Sequence, residues 1–133
     1  MALETESLAL DPARLRAGVR RALGGEVGAQ YFIIDGPASG QPLGQLMVTR
    51  EWSDWRDTEV WWIQSVYVWP EARQQGVFRA LYSHVQQAAR AAGAGGLRLY
   101  VDTQNMAAQT VYTRLGMSGE HYRVFEAMFG VGA

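Results

Sequence analysis

The stretch from residue 59 to residue 101 constrains the fold most, because its pattern predicts a strand, a long helix and a second strand in succession. Glu59–Trp69 is rich in β-branched and aromatic residues and stops at a proline, which is typical of a buried strand. Gly76–Ala92 repeats apolar residues at helical spacing, and Leu97–Val101 alternates apolar and polar residues. Two strands joined by a long helix run parallel, with a right-handed crossover.

The flanking segments predict two further helices and three further strands. One helix is expected to start at Asp11-Pro12 and to end at Gly24-Gly25. The other expected elements are strands at Ala29–Asp35, Leu43–Arg50 and Tyr122–Phe129, a helix at Asn105–Leu115 and a polar turn at Glu51–Asp57. The first two of these strands indicate an antiparallel hairpin. The predicted fold is therefore α/β (α+β): a mixed, mostly antiparallel sheet with one parallel strand–helix–strand crossover and helices on both faces.

Composition excludes several classes of protein. The 133 residues suit one domain, which we expect to span 1–133. The absence of cysteine excludes disulfides and thiol nucleophiles, and His84 and His121 lack partners at metal-ligand spacing, so no metal is expected. A net charge of -1 argues against nucleic-acid binding, and no apolar run is long enough for a membrane span. The start MALETESLALDP lacks the basic region of a signal peptide, so a cytoplasmic protein is expected.

Positive charge is concentrated in the middle of the chain. Residues 72–116 carry five arginines and one acidic residue, whereas residues 1–71 carry six arginines and ten acidic residues. The middle segment contains a predicted helix start at Gly76, where unpaired backbone N–H groups and the helix dipole favour an anion. Arg73 and Arg79 flank this helix start with forked donors suited to phosphate. The alternative is an ordinary strand-to-helix turn with solubilising arginines. A Walker A loop is excluded, because the chain has no lysine.

Two motifs in this region resemble those of the GNAT superfamily of acyl-CoA-dependent N-acetyltransferases. The first is Arg73-Gln74-Gln75-Gly76-Val77-Phe78, which resembles the family's Q/R-x-x-G-x-G/A, and the approach Val-Tyr-Val-x-Pro-Glu-x-Arg, which ends at Arg73, matches too. The second comprises Asn105, Ala108, Tyr112, Gly116 and Met117, with the spacing N-x-x-A-x-x-x-Y-x-x-x-G-F/M. The match covers roughly residues 60–117 well and the flanks in topology.

The resemblance implies a site for acetyl-CoA as cosubstrate. Backbone groups in the first motif and the residue after it would hold the pyrophosphate: Gln74, Gln75, Gly76, Val77, Phe78 and Arg79. The preceding strand residues Val66, Tyr67 and Val68 would pair with the pantetheine arm. Asn105 would hydrogen-bond the arm, and Tyr112 would protonate the leaving thiolate. The implied function is transfer of an acetyl group to a primary amine of a small molecule or peptide by direct attack.

Departures from the family pattern keep alternatives open. Phe78 stands where the family has Gly or Ala, and the family's usual first strand is missing. Gln64-Ser65 replaces the adjacent carboxylates of some relatives, which leaves Glu59 as the best-placed strand base or, alternatively, as a solvated strand end. Tyr112 alone could also be a core residue. The competing functions are a catalytically weak or inactive CoA-binding module on this fold and a dimeric interaction domain without a CoA site.

Assembly is the last expectation from the sequence. Without the family's first strand, Ala29–Asp35 should lie at or near a sheet edge, and its Tyr-Phe-Ile-Ile run has no charge to discourage pairing. A homodimer is therefore expected, with a sheet edge packed against the second copy or covered by its terminal segment. The alternative is a monomer in which residues 1–10 cover the edge.

Overall fold

A computed structural model describes residues 11–37 and 40–130 of the chain. In chain order the elements are α1 (Pro12–Leu23), β1 (Gln30–Asp35), β2 (Pro42–Ser53), β3 (Thr58–Val68), α2 (Val77–Ala91), β4 (Gly96–Leu99) and α3 (Met106–Arg114). Short 3-10 helices at Asp54–Arg56 and Pro70–Ala72 precede and follow β3. The residues Pro12–Tyr100 form one compact unit, and the described residues from 101 onward belong to a second.

The described strands form a mixed sheet in the order β1-β2-β3-β4. β1 pairs antiparallel with β2, β2 pairs antiparallel with β3, and β3 pairs parallel with β4. The helix α2 supplies the crossover that a parallel neighbour requires. The predicted fold class is confirmed, and β1 lies at one end of the strand order as expected.

α2 packs closely against one face of the sheet. A Cβ on Gly44 of β2 would lie 2.9 Å from Val77 Cγ1 and 3.3 Å from Leu81 Cδ1, so glycine permits this close approach. Leu46 and Val48 of β2 and Val85 of α2 are almost completely buried in this layer. The amphipathic pattern that predicted the helix is therefore the pattern that builds the core, and the core fixes where the first turn of α2 begins.

Two predictions about local structure were wrong. The expected polar turn at Glu51–Asp57 is shorter, because β2 continues through Ser53, whose side chain is buried, before the 3-10 turn. Cross-strand pairing with β3 down to Ser53↔Thr58 overrides the polar composition of this stretch. The expected strand at Tyr122–Phe129 is not a strand in the structure: it contains no regular secondary structure. Strand-forming residues form a strand only when a neighbour accepts their backbone hydrogen bonds, and the sheet of the described residues ends at β4.

No helix within the described ranges is both long enough and apolar enough to cross a bilayer.

Candidate active site

The two halves of β3 differ in their strand neighbours, and this difference defines the candidate site. Residues Val60–Ile63 pair with β4, whereas β3 continues to Val68. A register shift in the pairing with β2 marks the boundary, since Met47 pairs with Ser65 and Val48 with Ile63, which leaves Gln64 as an extra residue. In the described part of the chain, the second half of β3 therefore has a strand neighbour on its β2 side alone.

The backbone groups that face this open side can be identified from the hydrogen-bond pattern. Trp69 N–H donates to the Leu43 carbonyl at 2.9 Å, so Trp69 and Tyr67 direct their backbone groups toward β2. Backbone directions alternate along a strand, so Val66 and Val68 direct theirs to the opposite, open side. This edge can therefore hydrogen-bond an extended amide-containing chain as a strand neighbour would.

The open half of β3 leads into a loop with two left-handed residues. After the turn Pro70–Ala72, Gln74 has a φ of 63° and Gly76 a φ of 77°. Gly76 is the N-cap of α2 and forms no side-chain cap hydrogen bond. The first hydrogen bond of α2 runs from Ala80 N–H to the Gly76 carbonyl at 3.0 Å, so the helix itself does not use the N–H groups of its first turn. Together with the helix dipole, these groups favour an anion.

Space is open at Gly76. Among the described residues, apart from its two chain neighbours, a Cβ built there would meet no atom within 4 Å, so the positive φ is what requires glycine. An anion could therefore approach this backbone without displacing protein atoms. The predicted phosphate cradle, meaning residues 74–79, is thus compatible with the local geometry.

Arg73 connects the loop between β3 and α2 to the end of β3. Its Nε donates to the Val68 carbonyl at 3.0 Å, and its guanidinium carbon lies 5.5 Å from the centre of the Tyr67 ring. The Gln75 side chain donates to the Glu71 carbonyl at 3.0 Å, which adds a second tie within the loop. Arg73, which the sequence assigned to anion binding, therefore also connects the end of β3 to the cradle.

The side chains of the first α2 turn are divided between the core and solvent. Val77 is buried, and Arg79 is exposed. The Phe78 ring lies 6.2 Å from the Tyr82 ring, one turn further along the helix, so it runs along α2 rather than over the loop. A bulky residue at this motif position is accommodated in this way.

The register shift brings polar groups to the boundary between the two halves of β3. The Gln64 side chain donates to Thr49 Oγ1 on β2 at 3.0 Å. Gln64 and Ser65 are both exposed.

Residues beside the paired half of β3 form a cluster that the sequence patterns did not indicate. Arg98 on β4 forms a salt bridge with Glu51 on β2, with 2.7 Å between nitrogen and oxygen, across the intervening β3. The Trp62 and Tyr100 rings lie 4.7 Å apart, and Arg98 lies 5.9 Å from the Trp62 ring. Strand order and register bring these residues together, and neither can be read from a local sequence pattern.

The second motif lies in the unit formed by the residues from 101 onward. Asn105 is the N-cap of α3, and its Oδ1 accepts a hydrogen bond from Ala108 N–H at 3.1 Å. Tyr112 is half-buried on α3, and its carbonyl accepts from Met117 N–H at 3.0 Å. Gly116 has a φ of 92°, the left-handed conformation expected after the helix. Each motif residue therefore has a defined local role in building α3 and its C-terminal turn.

Glu59 lies in the paired half of β3, away from the open edge. Its side chain is exposed, its cross-strand partner is Trp52, and its carbonyl accepts from Gly95 N–H at 2.8 Å. Gln64 lies five positions further along β3, which corresponds to about 16 Å along a strand. The structure does not bring Glu59 close to Val66–Val68.

One tyrosine in the layer beneath the cradle has a shifted pKa. Burial raises the pKa of Tyr82 above its ordinary value, and the charge of Arg90 partly opposes this shift. Tyr82 is buried on α2 and supports the helix. Among the described residues, no group of three or more His, Asp or Glu side chains is placed to hold a metal ion.

Comparison with known proteins connects these features to one family. The model of the acetyltransferase (GNAT) family matches residues 4–117. No match was found among curated proteins.

Several solved structures are similar over most of the chain. The crystal structure of a possible acetyltransferase from Clostridium difficile 630 is 35% identical, with a TM-score of 0.86, and the match covers 96% of this chain and 84% of that one. A probable acetyltransferase is 22% identical, with a TM-score of 0.83 and coverage of 96% and 85%. An aminoglycoside N-acetyltransferase, AAC(6')-Iy in complex with CoA, is 22% identical, with a TM-score of 0.65 and coverage of 90% and 96%.

Proposed function

The chain belongs to the GNAT acetyltransferase family, and we propose that it transfers an acetyl group from acetyl-CoA to a primary amine of a small molecule or peptide. Family membership supports acetyl transfer in general. The open half of β3, which leads through a left-handed loop into a helix start with glycine as its N-cap, is the observation that carries the proposal.

In this proposal acetyl-CoA lies along the open edge with its phosphates at the cradle. The amide groups of the pantetheine arm pair with the backbone of Val66–Val68, and the pyrophosphate receives hydrogen bonds from backbone N–H groups of residues 74–79. The Val68 carbonyl already accepts a bond from Arg73, so Val66 supplies the larger share of the pairing. Asn105 is the further proposed contact to the arm, a role compatible with its capping of α3.

The proposed chemistry needs no covalent enzyme intermediate. The amine nitrogen attacks the thioester carbonyl carbon, a nitrogen–carbon bond forms, and the carbon–sulfur bond breaks. A strand N–H at the open edge stabilises the oxyanion while it exists. The amine gives up a proton to a base, and the departing thiolate takes a proton from the Tyr112 hydroxyl. The family resemblance supports this role for Tyr112.

The identity of the base stays a prediction. Glu59 is the carboxylate that the sequence favours, and its distance along β3 from Gln64 requires a relay through water rather than direct contact. Glu59→Gln should lower turnover if the relay exists and should change nothing if Glu59 is a solvated strand end. A cytoplasmic location and a homodimer also stay predictions.

Release of free CoA thiol tests the function directly. The protein has no cysteine, so a thiol reagent reports the product without background from the protein. We expect thiol release from acetyl-CoA in the presence of one or more primary amines. Tyr112→Phe should lower kcat about 10²- to 10⁴-fold, with a much smaller change in the KM for acetyl-CoA, because a general acid acts mainly as the bond breaks. Tyr31→Phe on β1 is the matched control and should leave kcat unchanged.

The outcomes separate the competing functions. Thiol release that is equal in wild type and Tyr112→Phe would assign Tyr112 to packing and refute its role as the acid. Heat of CoA binding without turnover on any amine would favour the CoA-binding module. Absence of both binding and turnover would refute the proposed site.

A further inference from the structure

Two aromatic rings lie together on the face of the sheet that is opposite α2. Val48 is buried against α2, and side chains alternate along a strand, so the next residue, Thr49, points to the other face. Trp62 is the cross-strand partner of Thr49 and therefore shares that face. The Tyr100 and Trp62 ring centres are 4.7 Å apart, with an angle of 47° between the ring planes. Tyr100 is 56% exposed, so a ligand can reach this pair from solvent.

The two rings lie where the open half of β3 begins. Trp62 pairs with Arg98, and the pairing of β3 with β4 ends one step later, at Ile63 and Leu99. Tyr100 directly follows this last pair. In the proposed function the pantetheine arm runs from the cradle along the open edge, and it can extend only to the point where β4 occupies that edge. The thioester end of acetyl-CoA would therefore lie beside Tyr100, and the two rings would line the space next to the reacting carbon.

The charges beside the rings compensate each other. Glu51 Oε1 and Arg98 Nη1 lie 2.7 Å apart, and the Arg98 guanidinium carbon lies 5.9 Å from the centre of the Trp62 ring. Opposite charges in contact leave little net charge to attract a further charged group on a ligand. The surface therefore favours a flat, uncharged group, with the aromatic rings as its main contact.

We propose that the acceptor is a primary amine that carries an uncharged aromatic ring, and that Trp62 and Tyr100 bind this ring. This inference rests on the proposed acetyl transfer and names the class of its acceptor. A short alkyl spacer between the ring and the nitrogen lets the nitrogen reach the thioester while the ring contacts the pair. Aromatic rings attract one another in offset or edge-to-face arrangements, and a saturated ring of the same size lacks this attraction.

Two amines of nearly equal size test the aromatic contact. 2-Phenylethylamine has an aromatic ring, and 2-cyclohexylethylamine has a saturated ring on the same spacer. Burial of apolar surface alone would not favour the phenyl compound, because the saturated ring has at least as much apolar area. Thiol release from acetyl-CoA gives kcat/KM for each amine. We expect kcat/KM to be about fivefold higher for the phenyl compound, mainly through a lower KM, because the contact is the same in the bound complex and in the transition state.

Variants at Tyr100 test whether the preference comes from the rings. Tyr100→Leu removes one ring at an exposed position, so the two amines should then have about equal kcat/KM. Tyr100→Phe retains the ring and should keep the preference. Trp55→Leu changes an exposed tryptophan in the turn before β3 and is the matched control, which should also keep the preference. A merely structural role of Tyr100 would lower kcat/KM for both amines alike and would leave their ratio unchanged.

Glu51→Gln tests the charge compensation. Arg98 would then lie beside the rings without the Glu51 carboxylate, so the site should accept a ring that carries a negative charge. The ratio of kcat/KM for 4-(2-aminoethyl)benzoate to that for 2-phenylethylamine should rise about tenfold relative to wild type. An unchanged ratio would overturn the assignment of an uncharged ring.

A binding measurement separates this inference from the proposed function. Calorimetric titration of 2-phenylethylamine into the protein with CoA present should show binding about fivefold tighter in wild type than in Tyr100→Leu. Turnover of amines without a preference for the phenyl compound would overturn the inference and leave acetyl transfer intact. Binding that depends on Tyr100, without turnover of any amine, would refute the proposed function and retain the aromatic site. Absence of both binding and turnover would overturn both.

Discussion

The two halves of β3 have similar sequences and different surroundings. Val60–Ile63 lies between β2 and β4, whereas Val66–Val68 has β2 on one side and an open edge on the other. Both halves are rich in β-branched and aromatic residues, so composition does not separate them. The backbone of the paired half bonds to strands on both sides, whereas the open half directs backbone groups to a side where the described sheet has no strand. One strand can thus serve as core and as binding edge when its neighbour stops early.

The largest expected difference between the two halves of β3 is in their response to proline substitution. Val66→Pro removes an N–H that points to the open side, so we expect the fold to survive and acetyl-CoA binding to weaken about tenfold or more. Val60→Pro in the doubly paired half removes a ladder bond and should destabilise the protein by about 3 kcal/mol or more. Urea unfolding and calorimetric titration with CoA measure the two effects. Equal loss of folding in both variants would show that the halves do not differ.

Alanine substitution of two glycines with similar backbone conformations should show whether the cradle binds CoA. Gly76 and Gly93 both have a φ near 78° and open space around a built Cβ, but Gly93 lies at the opposite end of α2. Each substitution should destabilise folding by about 1–2 kcal/mol, because alanine is strained at positive φ. We expect CoA affinity to fall about tenfold in Gly76→Ala and to stay unchanged in Gly93→Ala. Similar affinities in both variants would place the pyrophosphate elsewhere.

The two arginines that flank the cradle should differ in their response to salt. Arg79 is exposed, so Arg79→Ala should weaken CoA binding several-fold at low salt and hardly at all near 1 M salt, where the Debye length is about 3 Å. Arg73 also bonds the Val68 carbonyl, so Arg73→Ala should retain part of its effect at high salt. Titrations at two ionic strengths compare them. Identical salt dependence would mean that the bond to β3 contributes nothing to binding.

The smallest expected effect is on the pH dependence of folding stability, through Tyr82, which is buried on α2. Because burial raises the pKa of Tyr82, its protonated form stabilises the fold below the unfolded value of about 10, and this contribution is lost as the pH rises through the folded value. Wild type should therefore lose slightly more stability than Tyr82→Phe between pH 8 and pH 11. Urea midpoints at these pH values provide the measurement. A parallel decline in both proteins would indicate that Tyr82 ionises as freely in the fold as in the unfolded chain.

Local patterns predicted most of the fold. Glycines and prolines at the ends of segments, and apolar periods of two or 3.6 residues, located β1, β3, α1, α2 and α3 to within about two residues. The extension of β2 and the absence of a strand at Tyr122–Phe129 were not predictable in this way, because pairing depends on neighbours distant in sequence. The same applies to the Arg98–Glu51 salt bridge, which exists because β4 lies beside β3.

The sequence by itself determined which residues form the cradle motif, which helices carry the two family motifs, and that one parallel crossover connects β3 to β4. These are properties of short windows, in which backbone preference and side-chain spacing act locally. Only the tertiary structure decided that β4 stops pairing at Ile63, that Gln64 is the extra residue of a register shift, and that Arg73 ties the cradle to Val68. These depend on which backbone groups find partners after the sheet has assembled, and that is a property of the whole fold.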